Sequence, residues 1–185
     1  MPKLYFRYGT MGSSKTANLI MTAVNYQTLG RVVTVIKPSI DTRSSDCLSS
    51  RCGMEIPVDQ VLGPDETIVV KSLSSAILVD EAQFLTESQV EQLRTFSYDL
   101  PVICYGLRTD YRTKMFPGSK RLLELADSIE EVKMLCANCE RKAIHNVKFR
   151  LDGDVRSIIY DGSDDPDIGG DDKYIALCSL CYSKK

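Results

Sequence analysis

The stretch that decides the fold is residues 3–16, which reads KLYFRYGTMGSSKT. It starts as a short apolar strand and continues directly into GTMGSSKT, residues 9–16, ahead of a predicted helix. In the related pattern G-x-x-x-x-G-K-[ST], successive backbone N–H groups surround phosphates, the lysine contacts them and the hydroxyl residue binds Mg²⁺. The stretch therefore predicts a phosphate-binding loop for a nucleoside triphosphate. The alternative is a Gly/Ser turn before an ordinary helix.

One residue of this loop departs from the pattern. Ser14 stands where the second glycine belongs. Glycine adopts positive φ at little cost and lets a phosphate approach the backbone closely, so we expect Ser14 to carry strain or to shift the loop. Gly12, two residues earlier, is expected to restore part of that freedom.

Size and charge limit the function classes. The chain has 185 residues, 43% of them hydrophobic, and a net charge of −2, which suits one domain or a larger domain with a small appendage. It has no basic run, so the charge pattern does not favour a nucleic-acid partner. No apolar stretch approaches the roughly 20 residues of a membrane span, and the N-terminus lacks a secretory signal. We therefore predict a cytoplasmic protein with a small-molecule partner and no membrane association.

The order of predicted elements indicates an α/β fold. In chain order they are helix 15–29, strand 32–36, a polar loop over 38–64 with at most one short strand, strands 67–70 and 76–79, a helix from a capping box at 86–89, strand 102–107, an exposed loop over 108–118 and helix 120–126. Near-continuous apolar strands are typical of a parallel sheet covered on both faces. We predict a P-loop domain of RecA/Rossmann-like type over residues 1–127.

A second, β-rich domain is predicted over residues 128–185, where short strand-like pieces replace helices. It contains two C-x-x-C pairs, Cys136/Cys139 and Cys178/Cys181. Each pair can place two thiolates on one side of a zinc ion, and two pairs complete a closed tetrahedral site, so zinc is predicted to be structural. The alternative, a redox dithiol, lacks the expected βαβ context. The long segment between the pairs includes a polar Asp/Gly-rich loop at 161–172.

Paired acids follow another predicted strand. Asp80 and Glu81 come directly after the apolar residues 76–79, and the carboxyl ends of strands are where open α/β sheets bind ligands. Asp80 is therefore a candidate to hold Mg²⁺, and Glu81 is a candidate to accept a proton from a substrate hydroxyl or to orient a water molecule. Two acids at a strand end are also a common solvated turn, and it is the phosphate loop that favours the catalytic interpretation.

Five motifs follow one another along the chain. They are GTMGSSKT at 9–16, DTR at 41–43, DEAQF at 80–84, YGLRTDYR at 105–112 and GGDDKY at 169–174. Together with the four cysteines they resemble the motifs of thymidine kinases of the type II class, over nearly the whole chain. The resemblance implies transfer of the γ-phosphate of ATP to the 5′-hydroxyl of thymidine or deoxyuridine, for DNA precursor salvage. It also implies a homotetramer that thymidine triphosphate inhibits.

The resemblance assigns roles to individual residues. The ATP-binding set is Gly9, Thr10, Met11, Gly12, Ser13, Ser14, Lys15, Thr16, Asp80, Glu81, Ala82 and Gln83, with Thr16 and Asp80 at magnesium and Glu81 as the catalytic base. The substrate-binding set is Met11, Asp41, Arg43, Gln83, Phe84, Leu107, Tyr111, Asn146, Ile168, Gly169 and Tyr174. In such enzymes the region of Ile168, Gly169 and Tyr174 forms a lasso over thymidine, so the second domain is expected to be a zinc-binding lasso domain.

This chain departs from the family pattern at three positions. Ser14 replaces the usual glycine, Tyr111 replaces a common phenylalanine, and Asn146 stands near the thymine methyl group, where small hydroxyl residues also occur. Two other functions stay open from the sequence. One is an ATPase switch whose zinc domain docks a protein or nucleic acid, which the acidic balance disfavours. The other is a sensor of thymidine triphosphate that lost catalysis at Ser14, against which the intact Lys15 and Glu81 argue.

Overall fold

The structure is a computed structural model that describes residues 2–42, 46–152, 155–159 and 173–183. The described strands are β1 (Leu4–Tyr8), β2 (Val32–Pro38), β3 (Cys47–Ser49), β4 (Glu55–Pro57), β5 (Gln60–Leu62), β6 (Ser74–Val79), β7 (Val102–Gly106), β8 (Ser128–Glu131), β9 (His145–Asp152), β10 (Val155–Ile159) and β11 (Tyr174–Leu177). The described helices are α1 (Lys15–Thr28), α2 (Glu87–Phe96), α3 (Pro117–Leu125) and α4 (Ser179–Ser183), with a 3₁₀ turn at Ala82–Phe84.

In the described part of the chain, six strands form one parallel sheet in the order β5-β2-β6-β7-β1-β8. Side chains of its strands are buried on both faces. Leu4 and Phe6 pack with Leu93 of α2 on one face, while Val35 and Leu78 belong to the cluster that includes α1 on the other. The predicted α/β fold with a parallel sheet is therefore confirmed, and the loops after β1, β2, β6 and β7 meet at one edge.

The polar stretch 38–64 contains more strand than we predicted. It holds the antiparallel hairpin β3–β4 and the edge strand β5, where at most one short strand was expected. Leu48 and Ile56 of the hairpin are buried in the core cluster on the α1 face. Because each hairpin strand has only three residues, its apolar periodicity is too short to detect in the sequence.

The predicted strand at 67–70 is wrong. Ile68 is buried, but its backbone N–H donates to Gln92 Oε1 at 3.0 Å, and the N–H of Val69 donates to Gln60 Oε1 at 2.9 Å. Glutamine side chains thus accept hydrogen bonds from backbone N–H groups that, in a strand, would bond to carbonyl groups of a neighbouring strand. Helix α3 also begins earlier than predicted, at Pro117, because proline fits the first turn of a helix.

Beyond the main sheet, the described residues form a second, antiparallel sheet in the order β10-β9-β11. We predicted the division into two domains after residue 127, and that division stays a prediction. β8, the first segment assigned to the second domain, pairs with β1 in the main sheet. None of the described helices has the length and apolar character needed to cross a membrane.

The predicted capping box at the start of α2 is present. Thr86 Oγ1 accepts from the N–H of Gln89 at 3.2 Å, and Gln89 Oε1 accepts from the N–H of Thr86 at 3.1 Å. We expect Thr86→Ala to lower the free energy of unfolding by about 1 kcal/mol, because orphan N–H groups of the first turn lose their acceptor. Denaturant unfolding measures the change.

The matched control is Thr95→Ala, on an exposed position of the same helix. Alanine favours helix more than threonine does, so this variant should lose no stability. Equal stabilities of the two variants would contradict a role for the cap.

Candidate active site

The loops at the carboxyl edge of the parallel sheet surround a cleft of about 1050 Å³. The predicted site residues that line it are Met11, Gly12, Ser14, Lys15, Thr16, Asp41, Glu81, Gln83, Phe84, Leu107, Tyr111, Asn146 and Tyr174. Five more predicted residues are buried and are absent from the cleft lining: Gly9, Thr10, Ser13, Asp80 and Ala82. Arg43, Ile168 and Gly169 lie outside the described residues.

Two residues of the phosphate-loop segment have left-handed backbone conformations. Ser14 has φ 63° and ψ 27°, directly before α1, and Gly12 has φ 79°. The expected strain at Ser14 is therefore present. The Ser14 side chain makes no capping bond to α1, so the N–H groups of the first helical turn stay available to an anion.

Lys15 lies across this loop. Its side chain is buried, and Nζ donates to the carbonyl of Thr10 at 2.8 Å. An ammonium group that is already desolvated interacts strongly with an anion brought beside it. The loop therefore combines a helix N-terminus that the Ser14 side chain does not cap with a nearby cation, as phosphate binding requires.

Asp80 and Thr16 meet beside the loop. Thr16 Oγ1 donates to Asp80 Oδ2 at 2.8 Å, and Asp80 is only 1% exposed. Burial, with the adjacent Glu81 charge, raises the pKa of Asp80 to about 7, although Thr16 and Lys15 act in the opposite direction. Taking a carboxylate out of water is costly unless a cation compensates it. This pair of oxygen ligands fits Mg²⁺.

Glu81 is held at the cleft by a buried amide. Its backbone is left-handed, with φ 48° and ψ 37°. Gln83 Nε2 donates to Glu81 Oε2 at 2.6 Å, while Gln83 Oε1 accepts from the N–H of Leu107 at 3.0 Å. Strained, over-determined residues of this kind cluster at functional sites. The arrangement can present a carboxylate oxygen to a substrate hydroxyl.

Asn146 joins the second sheet to the loop. It lies on β9 and is 4% exposed; its Oδ1 accepts from the N–H of Met11 at 2.8 Å, and its Nδ2 donates to the carbonyl of Thr109 at 3.1 Å. One side chain thus fixes the phosphate loop, the segment after β7 and the antiparallel sheet together. Sequence reasoning placed Asn146 at the substrate but gave no sign of these bonds.

Aromatic rings form another part of the cleft wall. The rings of Tyr111 and Tyr174 lie 6.5 Å apart, and those of Phe84 and Phe116 lie 5.5 Å apart in an edge-to-face arrangement. Such surfaces suit a planar base. Sequence reasoning missed Phe116, although the mixture of charge and aromatic residues in the loop at 108–118 already indicated function.

Asp41 and the hairpin contribute further groups. Asp41 is buried, and its Oδ2 lies 4.0 Å from Nζ of the buried Lys37. Ser49, Ser50, Arg51 and Cys52 of the β3–β4 hairpin also line the cleft. Sequence reasoning did not find these residues, because the hairpin itself was predicted as loop.

The two C-x-x-C pairs come together as predicted. Their Sγ atoms all lie within 4.8 Å of one another, and Cys139 Sγ lies 3.6 Å from the Sγ atoms of both Cys178 and Cys181. Zn–S bonds of about 2.3 Å in a tetrahedron give sulfur separations of about 3.8 Å. Although burial opposes it, hydrogen bonds from backbone groups of Cys178 and Asn138 lower the pKa of Cys136 to about 6. The cluster therefore fits a structural zinc ion.

Comparisons with known proteins identify the family. A family model described as thymidine kinase matches residues 2–182. The thymidine kinase of Streptococcus gordonii is 39% identical, over 100% of this chain and 97% of that protein. The thymidine kinase of Chromobacterium violaceum is 38% identical over 98% of both chains, and that of Encephalitozoon cuniculi is 37% identical over 98% of this chain and 87% of its own length. The chain belongs to the thymidine kinase family.

Proposed function

We propose that this chain transfers the γ-phosphoryl group of ATP to the 5′-hydroxyl of thymidine, and also of deoxyuridine, giving the monophosphate for DNA precursor salvage. The observation that carries the proposal is the meeting of Lys15, Thr16 and Glu81 at one cleft, with Asp80 bonded to Thr16 beside it. Membership of the thymidine kinase family supports it. The ATP donor and the use of deoxyuridine are parts of the proposal that the motif resemblance supports.

The phosphates of ATP bind the loop over residues 9–16 in this proposal. The N-terminus of α1 and the Lys15 ammonium bind the same anion in this proposal. Thr16 and Asp80 would hold magnesium, which would supply positive charge beside the phosphates of ATP. Residues 80–83 complete the nucleotide side of the site.

Glu81 acts as the general base. Gln83 donates to Oε2 and holds the carboxylate in place, and the carboxylate accepts the 5′-hydroxyl proton. The hydroxyl oxygen then forms its bond to the γ-phosphorus, the bond to the β-phosphate oxygen breaks, and ADP leaves with that electron pair. Gln83 fixes the carboxylate, so little reorganisation accompanies the proton transfer.

Thymidine occupies the aromatic part of the cleft. Met11, Phe84, Leu107, Tyr111 and Tyr174 surround the base, which the cleft lining supports. The further assignments come from the motif resemblance: Asp41 and Arg43 near the transferring phosphoryl group and the 5′-hydroxyl, Asn146 near the thymine methyl group, and Ile168 and Gly169 in a lasso over the nucleoside. A closed lasso would exclude water and so suppress ATP hydrolysis.

The proposal includes a structural zinc ion held by Cys136, Cys139, Cys178 and Cys181, because four thiolates leave no open position for water. We assign the kinase domain to residues 1–127 and the zinc-binding lasso domain to residues 128–185. A homotetramer, feedback inhibition by thymidine triphosphate and a cytoplasmic location complete the proposal. These last three rest on the resemblance to the type II class.

ATP turnover with Mg²⁺, measured with and without thymidine, tests the proposed function. We expect ADP to form only when thymidine is present, in an amount equal to thymidine monophosphate, because Glu81 needs the 5′-hydroxyl as its proton donor. Quantitative chromatography of both products gives the ratio. ADP formed without thymidine would favour an ATPase switch, and no ADP would favour a sensor.

Replacing Glu81 tests the base. We expect Glu81→Gln to lower kcat by about 10²- to 10⁴-fold, the range for loss of a general base. Thymidine binding should stay within about threefold of the wild type, because the amide keeps the size of the side chain. Steady-state kinetics and calorimetric binding separate the two effects.

Glu91→Gln is the control, since Glu91 is an exposed α2 residue that is absent from the cleft lining. Its kcat should match the wild type. A Glu81→Gln variant with near-normal turnover would exclude Glu81 as the base.

The zinc assignment predicts a defined metal content. The purified protein should contain about one zinc per chain. Chelation should lower its melting temperature, because one cysteine pair precedes β9 and the other follows β11, so the ion links the two ends of this part of the chain. Elemental analysis and thermal unfolding measure the two quantities. Cys139→Ser should lose zinc, whereas Cys47→Ser, outside the cluster, should keep it. Full zinc content in Cys139→Ser would contradict the site.

A further inference from the structure

The β3–β4 hairpin has an ordered tip at the nucleotide end of the cleft. At the tip, the N–H of Ser50 donates to the carbonyl of Met54 at 2.8 Å, and Ser50 Oγ accepts from the N–H of Met54 at 3.1 Å. Below it, Leu48 and Ile56 are buried with α1. The backbone of this tip is therefore held at a fixed place relative to α1.

Arg51 is the charged residue on that tip, and it lines the cleft together with Lys15 and Ser14. Its guanidinium reaches the phosphate loop at Gly12. A Cβ atom built on Gly12 would lie 3.0 Å from Arg51 Nη1 and 3.0 Å from Met134 Cε. A side chain at position 12 would make Arg51 or Met134 move by a few tenths of an ångström, so glycine there allows the arginine its present position.

Arg51 would add to the cations that the proposed function already places at the phosphates. Lys15 and Mg²⁺ are assigned there, Arg112 and Lys114 line the same cleft, and Arg51 is the arginine placed against Gly12 of the phosphate loop. A guanidinium presents donors in a planar fork that matches phosphate oxygens in two-bond geometry. In some other phosphoryl-transfer enzymes, an arginine of the same chain stabilises the charge on the transferring phosphoryl group.

We propose that Arg51 is a catalytic residue of this kinase: seated against Gly12, its guanidinium binds the phosphate oxygens of the donor nucleotide and stabilises the transferring phosphoryl group. The inference rests on the proposed function. It also gives a physical reason for the altered loop. Glycine at position 12 makes room for Arg51, while Ser14 takes up the left-handed conformation that glycine usually supplies.

The first test compares Arg51→Gln and Arg51→Lys with the wild type, using ATP, Mg²⁺ and thymidine. We expect Arg51→Gln to lower kcat at saturating substrates by about 100-fold, the scale for removing one donor to transition-state charge. Its KM for thymidine should stay within about twofold, and Arg51→Lys should recover part of the loss. Glu55→Gln, on β4 of the same hairpin, should leave kcat unchanged, and thermal unfolding should show all variants folded.

A kcat within about twofold of the wild type in Arg51→Gln would overturn the proposal. Calorimetric binding of ATP in the absence of thymidine keeps the test separate from the proposed function. If the wild type forms no thymidine monophosphate, the proposed function fails, and the role of Arg51 in phosphate binding is then decided by ATP affinity alone. Equal ATP affinities of wild type and Arg51→Gln would overturn that role.

The Gly12→Ala variant tests whether Arg51 acts from its position against Gly12. The added Cβ would make the guanidinium move by a few tenths of an ångström, so Arg51→Gln should cost less in the Gly12→Ala background than in the wild type. The comparison uses the ratio of kcat values within each background, which removes the effect of alanine on the loop itself. The same 100-fold loss in both backgrounds would show that Arg51 does not act from its position against Gly12.

Discussion

The active-site geometry depends on β1 being hydrogen-bonded to a parallel strand on each side. β7 and β8 flank it, and the bonds continue past the end of the strand: the N–H of Gly9 donates to the carbonyl of Gly106, and that of Val132 to the carbonyl of Tyr8. The phosphate loop therefore starts from a point that cannot shift without breaking the sheet. The acids after β6 and Leu107 after β7 start from neighbouring points, so their spacing is set by the sheet.

This rigid edge explains how two strained residues persist. Ser14 and Glu81 both have left-handed backbones, each of which costs of order 1–3 kcal/mol for a residue other than glycine. α1 is held by Leu19 and Ile20 in the core, and Gln83 bonds both Glu81 and the Leu107 backbone. The buried contacts on either side of each residue leave it no relaxed alternative. The strain accompanies a backbone that directs the start of α1 and the Glu81 carboxylate toward the same cleft.

The parts of the structure that could be predicted from the sequence are those that depend on local patterns. The strand–loop–helix at 3–16, the capping box at Thr86 and the two C-x-x-C pairs each consist of residues close in sequence, and each is present. What sequence reasoning missed depends on long separations. Arg51 belongs to a hairpin whose strands are too short to show periodicity. Asn146 was placed at the substrate, but its bond to Met11, 135 residues away, has no local signal in the sequence.

Asn146 changes how the second sheet should be understood. A zinc-held appendage that only covered the substrate would need no bond to the phosphate loop. Here the β9 side chain bonds Met11, and β9 pairs with β11, which leads into Cys178. The cluster of cysteines is thus connected through two strands and one amide to the phosphate loop. Order in the antiparallel sheet and order in the phosphate loop are therefore coupled, so a zinc ion bound by the four cysteines would stabilise the loop as well as the sheet.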